Sequence, residues 1–261
     1  MTMKSRLLKI AQIAFVAVAF TGLGVSAYAV GYYFRTDPRF EVKSLAVSGI
    51  SGPLKRVTEG QVIGQAEFEV GTNVFKVDLD KIRERVERLR WVRHAIVQRV
   101  LPDQILIKVA EREPIGLARI RGEVYQFDVE GMILELDAAA TGSFPILDGL
   151  LRNDPEGNLV KVNTYRQVLE DLGQNELSEV HINDTQEVSV VSASDPLIVN
   201  LGASDFRERW IKYLQLKTQI HDQYPQAVRV DLRFKNQVVV QMKDDENSKD
   251  QVLWGVEKKS L

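Results

Sequence analysis

The side chains that most often carry out chemistry are sparse in this sequence of 261 residues. It contains no cysteine, which excludes disulfides, thiolate nucleophiles and Cys-ligated metal centres. The three histidines, His94, His181 and His221, are too far apart in sequence for the His-Glu-x-x-His spacing of a helical zinc site. The 36 Asp and Glu residues offer many acid-base pairs, but no spacing singles one out.

The sequence also lacks the common catalytic and phosphate-binding motifs. No GxSxG elbow, P-loop, GxGxxG or SxxK pattern is present, and the 17 glycines are scattered rather than gathered into a phosphate cradle. A net charge of -2 and a pI near 6.0 give no general attraction to phosphate. We therefore predict a non-enzymatic protein with no cofactor, no metal, no small-molecule substrate and no nucleic-acid partner.

A membrane span is predicted at residues 10–34. The run from Ile10 to Phe34 has no charged residue and is long enough to cross a hydrocarbon core of about 30 Å. Basic residues precede it, so the positive-inside rule places residues 1–9 in the cytoplasm and the bulk of the chain across the membrane. A cleaved signal peptide is the alternative, because Ala27-Tyr28-Ala29 has the small-x-small form of a cleavage site.

The pattern of apolar and polar residues over 35–114 predicts a small α+β unit with elements in the order strand, helix, helix, strand, strand. The predicted strands cover residues 40–50, 92–100 and 104–112, and the helices cover 57–66 and 78–91, with Asp78 as the second N-cap. Ile105, Ile107 and Val109 make one face of the last strand apolar, which is typical of a sheet covered by helices on one side.

Residues 115–242 predict a second, mixed α/β domain with a largely antiparallel sheet. Its predicted elements are strands at 123–127, 132–136, 179–182, 187–191, 197–201, 228–234 and 237–242, and helices at 160–172 and after Ser204 or Asp205. Trp210 and Tyr213 are interpreted as core residues of the last helix. Residues 243–261 are mostly polar, and this composition predicts a disordered tail. The tail contains one apolar island that could contact a partner, formed by Val252, Leu253, Trp254 and Val256.

Five motifs occur in an order that resembles a known family. They are Phe40-Glu41-Val42 with Val47-x-Gly49, Leu101-Pro102-x-x-Ile105-x-Ile107-x-Val109-x-Glu111-x-x-Pro114, Asp128-Val129-Glu130-Gly131, Pro145-Ile146-Leu147-Asp148-Gly149 and Val230-Asp231-Leu232-Arg233-Phe234. Together with the single span, they resemble the POTRA domain and the C-terminal β domain of the FtsQ/DivIB family of bacterial cell-division proteins. Only the polar tail has no counterpart in this resemblance.

The resemblance implies a single-pass inner-membrane scaffold at the division septum, with no catalysis and no cofactor. It implies that the POTRA domain helps recruit the protein to the septum, with FtsK as the upstream partner. It also implies that the β domain binds FtsB and FtsL and so helps control septal peptidoglycan synthesis by FtsW and FtsI. For recruitment we predict a surface that combines Gln98 and Lys108 with the charged helix at residues 78–90.

For FtsB we predict strand addition to an open edge formed by the last hairpin. The predicted contact residues are Arg233, Phe234, Asn236, Gln237, Val238, Val239, Val240 and Met242. The sequence departs from the family pattern here, with Phe234 for the usual Tyr and Met242 where a second aromatic residue is expected. Gln186-Glu187-Val188-Ser189 also replaces an Arg-Arg-Ser-Trp segment, so an Arg contact to an acidic partner residue is not expected there.

Two other functions stay open on the sequence alone. The first is a POTRA-containing component of a secretion or outer-membrane assembly system, although the sequence has no series of alternating strands long enough for a β-barrel. A secreted periplasmic enzyme is the other, if cleavage occurs after Ala29. N-terminal sequencing of the mature protein distinguishes this last case from the others.

Overall fold

The computed structural model describes residues 3–136, 144–243 and 251–254 of the chain. The chain divides into two compact units, Met1–Arg112 and Glu113–Leu261. Each unit has its own cluster of buried apolar side chains. The sequence had placed the boundary after Pro114.

Helix α1 covers Met3–Thr36. Its Ala14–Thr36 portion has a mean hydropathy of 1.7 and is long enough to cross a membrane. At its end, the buried Asn73 side chain donates a hydrogen bond to the backbone oxygen of Phe34 at 3.0 Å. The rings of Phe34, Phe40 and Phe75 pack together with centroids 5.2 to 5.6 Å apart. These contacts connect the helix to the first folded unit.

The first unit has the predicted strand, helix, helix, strand, strand order. Its elements are β1 (Ser44–Gly49), α2 (Glu59–Ala66), α3 (Leu79–Val86), β2 (Val92–Val100) and β3 (Gln104–Glu111). The sheet order is β1-β3-β2, with β1 parallel and β2 antiparallel to the central β3. Both helices pack on the face that carries Ile105, Ile107 and Val109, as predicted.

Helix α3 begins as predicted but is shorter. Asp78 is the N-cap and accepts a hydrogen bond from the backbone nitrogen of Lys81 at 3.2 Å. The helix ends at Val86 rather than at residue 91. The Glu87 carboxylate instead accepts hydrogen bonds from the backbone nitrogen of Ala95 at 3.0 Å and contacts His94 Nδ1 at 2.8 Å. The turn after α3 is thereby tied to the start of β2.

The second unit is a mixed α/β domain with a largely antiparallel sheet, as predicted. Its elements are β4 (Pro114–Ile120), β5 (Glu123–Asp128), β6 (Ile133–Leu134), β7 (Ile146–Asp148), α4 (Pro155–Leu172), β8 (Leu177–Ile182), β9 (Val188–Ser192), β10 (Asp195–Gly202), α5 (Phe206–Gln223), β11 (Ala227–Asp231), β12 (Gln237–Met242) and β13 (Gln251–Trp254). The sheet order is β13-β12-β11-β10-β9-β8-β7-β4-β5-β6. The parallel pairs are β4 with β7, β7 with β8 and β10 with β11.

Several elements of this unit differ from the prediction: β7 was not predicted, and local signals concealed β4 and the start of α4. β4 was not predicted, since Pro114 and Gly116 weaken its strand pattern. Gly116 is required there because a Cβ would lie 2.4 Å from the Phe127 ring. Helix α4 begins at Pro155 rather than at residue 160, with Asp154 accepting a hydrogen bond from the backbone nitrogen of Gly157 at 3.0 Å.

The core lies between the sheet and the two helices α4 and α5. Trp210 and Tyr213 are both buried, with ring centroids 5.0 Å apart, which confirms that they are core residues. Alternate strand residues such as Val190 and Val199 face the same cluster, and the residues between them, such as Val191 and Ile198, are on the opposite face of the sheet.

Candidate docking edge of the C-terminal sheet

Strand β12 is held on one side by β11. The two strands are antiparallel, with Val230 opposite Val240 and Asp231 opposite Val239. Val238 and Val240 are buried in the core, whereas Val239 between them is half-buried on the other face. The backbone donors and acceptors on the second side of β12 point away from β11 and can pair only with another strand.

The second side of β12 is not open along most of its length, so the predicted open edge is wrong there. Strand β13 pairs with it in antiparallel fashion, with Gln237 opposite Trp254 and Val240 opposite Gln251. In the part of the chain that the structure describes, β13 reaches no further along β12 than Val240. Val252, Leu253 and Trp254 of the apolar island are thus in a strand of the sheet, where disorder had been predicted, and Val256 lies outside the described residues.

Two carboxylates, one in the hairpin and one just before β9, form ion pairs with Arg233. Its Nη2 lies 2.7 Å from Asp231 Oδ2, and its Nη1 lies 2.8 Å from Glu187 Oε1. The hydrogen bond to Asp231 and then the one to Glu187 raise the pKa of Arg233 above its ordinary value. Glu187 belongs to the segment that departs from the family pattern, and the ion pair offsets the charge of Arg233 within the chain.

Phe234 projects from the connection between β11 and β12. Its ring is 43% exposed, and the Arg233 guanidinium lies 6.0 Å from its centroid. A groove of about 560 Å³ separates this connection from the first turns of α5. Ile211, which is 48% exposed, provides an apolar side chain on the helix side of the groove. The remaining lining is mixed in charge: Asp205, Glu208, Arg209, Lys212, Gln215, Leu232, Arg233 and Lys235.

The eight predicted contact residues thus lie in one hairpin but differ in accessibility. Arg233, Phe234 and Asn236 are exposed, and Gln237, Val239 and Met242 are half-buried. Val238 and Val240 can contact a partner only through their backbone groups, because their side chains are buried.

The two predicted recruitment residues share one face of the first sheet. Lys108 lies opposite Ile96, and Gln98 lies opposite Leu106, so all four side chains are on the face away from α3. Gln98 is exposed and Lys108 is half-buried. Helix α3 packs on the other face of the same sheet, so its charged side lies apart from Gln98 and Lys108, and their role in recruitment stays a prediction.

Sequence reasoning missed a polar cluster on the outer face of β4, β7 and β8. Arg119 Nε lies 3.0 Å from Asp148 Oδ1, and Arg119 Nη2 lies 2.8 Å from Glu179 Oε2. His181 contacts the same two carboxylates at 2.9 and 3.1 Å. The hydrogen bond from Arg119 is the main cause that lowers the pKa of Glu179.

Asp148, Glu179 and His181 are close enough together to hold a metal ion. The guanidinium of Arg119 already contacts both carboxylates, so the cluster is an internal ion-pair network. Its members come from three strands distant in sequence, and no motif spacing predicts such a grouping.

Two parts of the chain match described protein families. Residues 45–112 match the POTRA domain, FtsQ-type, and residues 116–233 match the C-terminal domain of cell division protein FtsQ/DivIB. The second match ends just before Phe234, so the docking hairpin is only partly included.

Several curated proteins named cell division protein FtsQ are similar to this chain. The one from Koribacter versatilis is 29% identical over 81% of this chain and 64% of its own length. The one from Syntrophotalea carbinolica is 24% identical over 76% of this chain and 73% of its own length. The one from Geotalea daltonii is 22% identical, with 89% and 86% covered.

Proposed function

Because this chain belongs to the FtsQ/DivIB family of bacterial cell-division proteins, we propose that it links early and late division proteins as a scaffold. Its family and its one N-terminal apolar helix indicate a single-pass membrane protein. The proposed location is the inner membrane at the division septum, with the N-terminus in the cytoplasm and both folded units in the periplasm. The match of the second unit does not favour the secretion or outer-membrane assembly alternative.

The proposed partner of the C-terminal sheet is FtsB, in complex with FtsL. A strand of FtsB would pair with β12, and its neighbouring side chains would contact Phe234 and the groove beside α5. The observation that supports this most directly is the exposed Phe234 ring next to the groove, in the connection that leads into β12, the second strand from the end of the sheet. Through FtsB and FtsL, the protein would help control septal peptidoglycan synthesis by FtsW and FtsI.

Phe234→Ala is expected to weaken binding of the FtsB-FtsL pair by more than about 1 kcal/mol. The reason is that a half-exposed ring beside a groove loses its remaining contact with water when a partner covers it. The measurement is a titration of the full chain, reconstituted in nanodiscs, with the purified periplasmic part of FtsB-FtsL.

Leu151→Ala is the matched control, since Leu151 is an exposed apolar residue of the same unit outside the hairpin. It is expected to leave the affinity unchanged. A second variant, Val239→Pro, removes one backbone donor from β12 and is used only if circular dichroism shows an intact fold. Unchanged affinity in both Phe234→Ala and Val239→Pro would place the partner elsewhere on the protein.

The proposed partner of the first sheet is FtsK, at the outer face around Gln98 and Lys108. Ile96 and Leu106 lie between these residues and add apolar area to the face. A double variant, Gln98→Glu with Lys108→Glu, is expected to reduce capture of FtsK by at least about tenfold, because it buries uncompensated charge in the interface.

The control for this second test is Glu84→Lys, an exposed charge reversal on α3 at the opposite side of the sheet. It is expected to leave FtsK capture and septal recruitment unchanged. If Glu84→Lys abolishes recruitment while the double variant does not, the helix side is the recruitment surface.

A further inference from the structure

The C-terminal strand β13 occupies the position that the proposed function gives to a partner. It pairs with Gln237–Val240 of β12, residue for residue, through four backbone positions. One side of a strand offers one row of backbone donors and acceptors, which a single neighbouring strand satisfies. The chain's own strand and a partner strand therefore cannot pair with these residues at the same time.

The covalent connection makes the internal pairing easy to form. Val240 and Gln251 face each other, and the chain between them runs only from residue 241 to residue 250. Closing so short a loop has a modest entropic cost, and a short covalent tether gives an effective concentration in the millimolar range. The sequence from Lys243 to Asp250 is KDDENSKD, which is polar and acidic and contributes no apolar residue of its own.

The internal pairing is also short enough to be displaced. β13 has four residues, whereas β12 has six. An added strand of this length gains little from its ladder alone, and short strand pairs are marginal in water. The residues Gln251-Val252-Leu253-Trp254 are nevertheless β-prone, which favours a strand over a free tail.

We propose that the segment Gln251–Trp254 is an intramolecular competitor that covers the β12 edge and must leave before a partner strand can pair there. This inference rests on the proposed function, because it concerns the same edge. The apparent affinity for the partner is then the intrinsic affinity reduced by the fraction of molecules whose edge is open. The tail would set how much partner is needed for assembly, without contributing a contact to the complex.

The test compares four forms of the full chain in nanodiscs. One lacks residues 244–261, a second carries Val252→Pro, and a third lacks only residues 255–261 and keeps β13. The fourth is the unchanged chain. Val252→Pro preserves length and charge, so it separates the strand from the electrostatic effect of deleting an acidic tail.

Two quantities are measured on each form. The first, without any partner, is hydrogen exchange of the backbone amides of β12. The second is the affinity for the periplasmic part of FtsB-FtsL. The long deletion and Val252→Pro are expected to speed exchange at Gln237–Val240 and to raise affinity by roughly threefold to tenfold, as for an edge open between a tenth and a third of the time. The short deletion is expected to change neither quantity.

The two measurements distinguish the possible failures. If hydrogen exchange of β12 is unchanged in the long deletion and in Val252→Pro, the proposal that Gln251–Trp254 competes for the edge is wrong, whatever the affinities are. Faster exchange with unchanged, measurable affinity also overturns it, since binding then does not use this edge. If no form binds FtsB-FtsL at all, the proposed function fails, and the exchange result still reports whether β13 covers the edge.

Discussion

Asp195→Ala is expected to lower the free energy of unfolding of the C-terminal unit by about 3 kcal/mol. Asp195 begins β10, and its side chain is almost completely buried. The carboxylate accepts hydrogen bonds from Tyr213 Oη at 2.6 Å and from the backbone nitrogen of Leu197 at 3.2 Å, and contacts His221 Nε2 at 2.9 Å. Truncation leaves the buried Tyr213 hydroxyl without this acceptor.

Tyr213→Phe is the matched variant, because it removes one donor and keeps the ring and the carboxylate. It is expected to cost about 1 kcal/mol. The measurement is urea unfolding of residues 35–261 followed by near-ultraviolet circular dichroism, to which the adjacent rings of Trp210 and Tyr213 contribute. Equal losses in the two variants would contradict the view that Asp195 joins several donors.

The contribution of Asp195 should also depend on pH. Burial acts to raise the pKa of Asp195, but the hydrogen bonds from Tyr213, His221 and Leu197 outweigh it and hold the pKa below its ordinary value of 3.8. A carboxyl group with a depressed folded-state pKa stabilises the fold above its unfolded-state pKa, and this contribution is lost as pH falls through the folded-state pKa. The stability difference between the unchanged chain and Asp195→Ala should therefore shrink below about pH 3.8. A difference that stays constant down to pH 2 would contradict this account.

Sequence patterns predicted the elements that are defined locally. The apolar spacing and the Asp78 cap were sufficient for α3 to be located, and the spacing of Trp210 and Tyr213 was sufficient for the buried face of α5. The docking hairpin was predicted as well, since Arg233 to Met242 are contiguous and β-prone. In each case a residue and its structural neighbours lie close together in the sequence.

Features that depend on distant residues were not predictable in this way. The pairing of Arg233 with Glu187 joins the residue before β9 to the hairpin, and the Asp195 network joins β10 to α5. The pairing of β13 with β12 was missed for a related reason, because a four-residue apolar island in a polar tail gives no periodic signal. The edge of the sheet was therefore predicted at the wrong strand.

Gly149→Ala is expected to destabilise the C-terminal unit by about 4 kcal/mol. Gly149 ends the Pro-Ile-Leu-Asp-Gly motif and directly follows β7, with φ at +103°. A Cβ at this position would lie 2.1 Å from the backbone oxygen of Ile182, a contact with β8 that no side-chain motion can relieve. The cost combines a backbone conformation that L-residues rarely adopt with a forced separation of β7 from β8.

Gly122→Ala isolates the first of these two costs. Gly122 lies in the turn between β4 and β5 with φ at +86°, and a Cβ there would have no atom within 4 Å. It is expected to cost about 1 to 2 kcal/mol, which is the conformational penalty alone. Thermal unfolding of both variants should therefore show a much larger loss for Gly149→Ala. Equal losses would mean that β7 and β8 separate at little cost, so that the motif glycine is required only for its backbone angles.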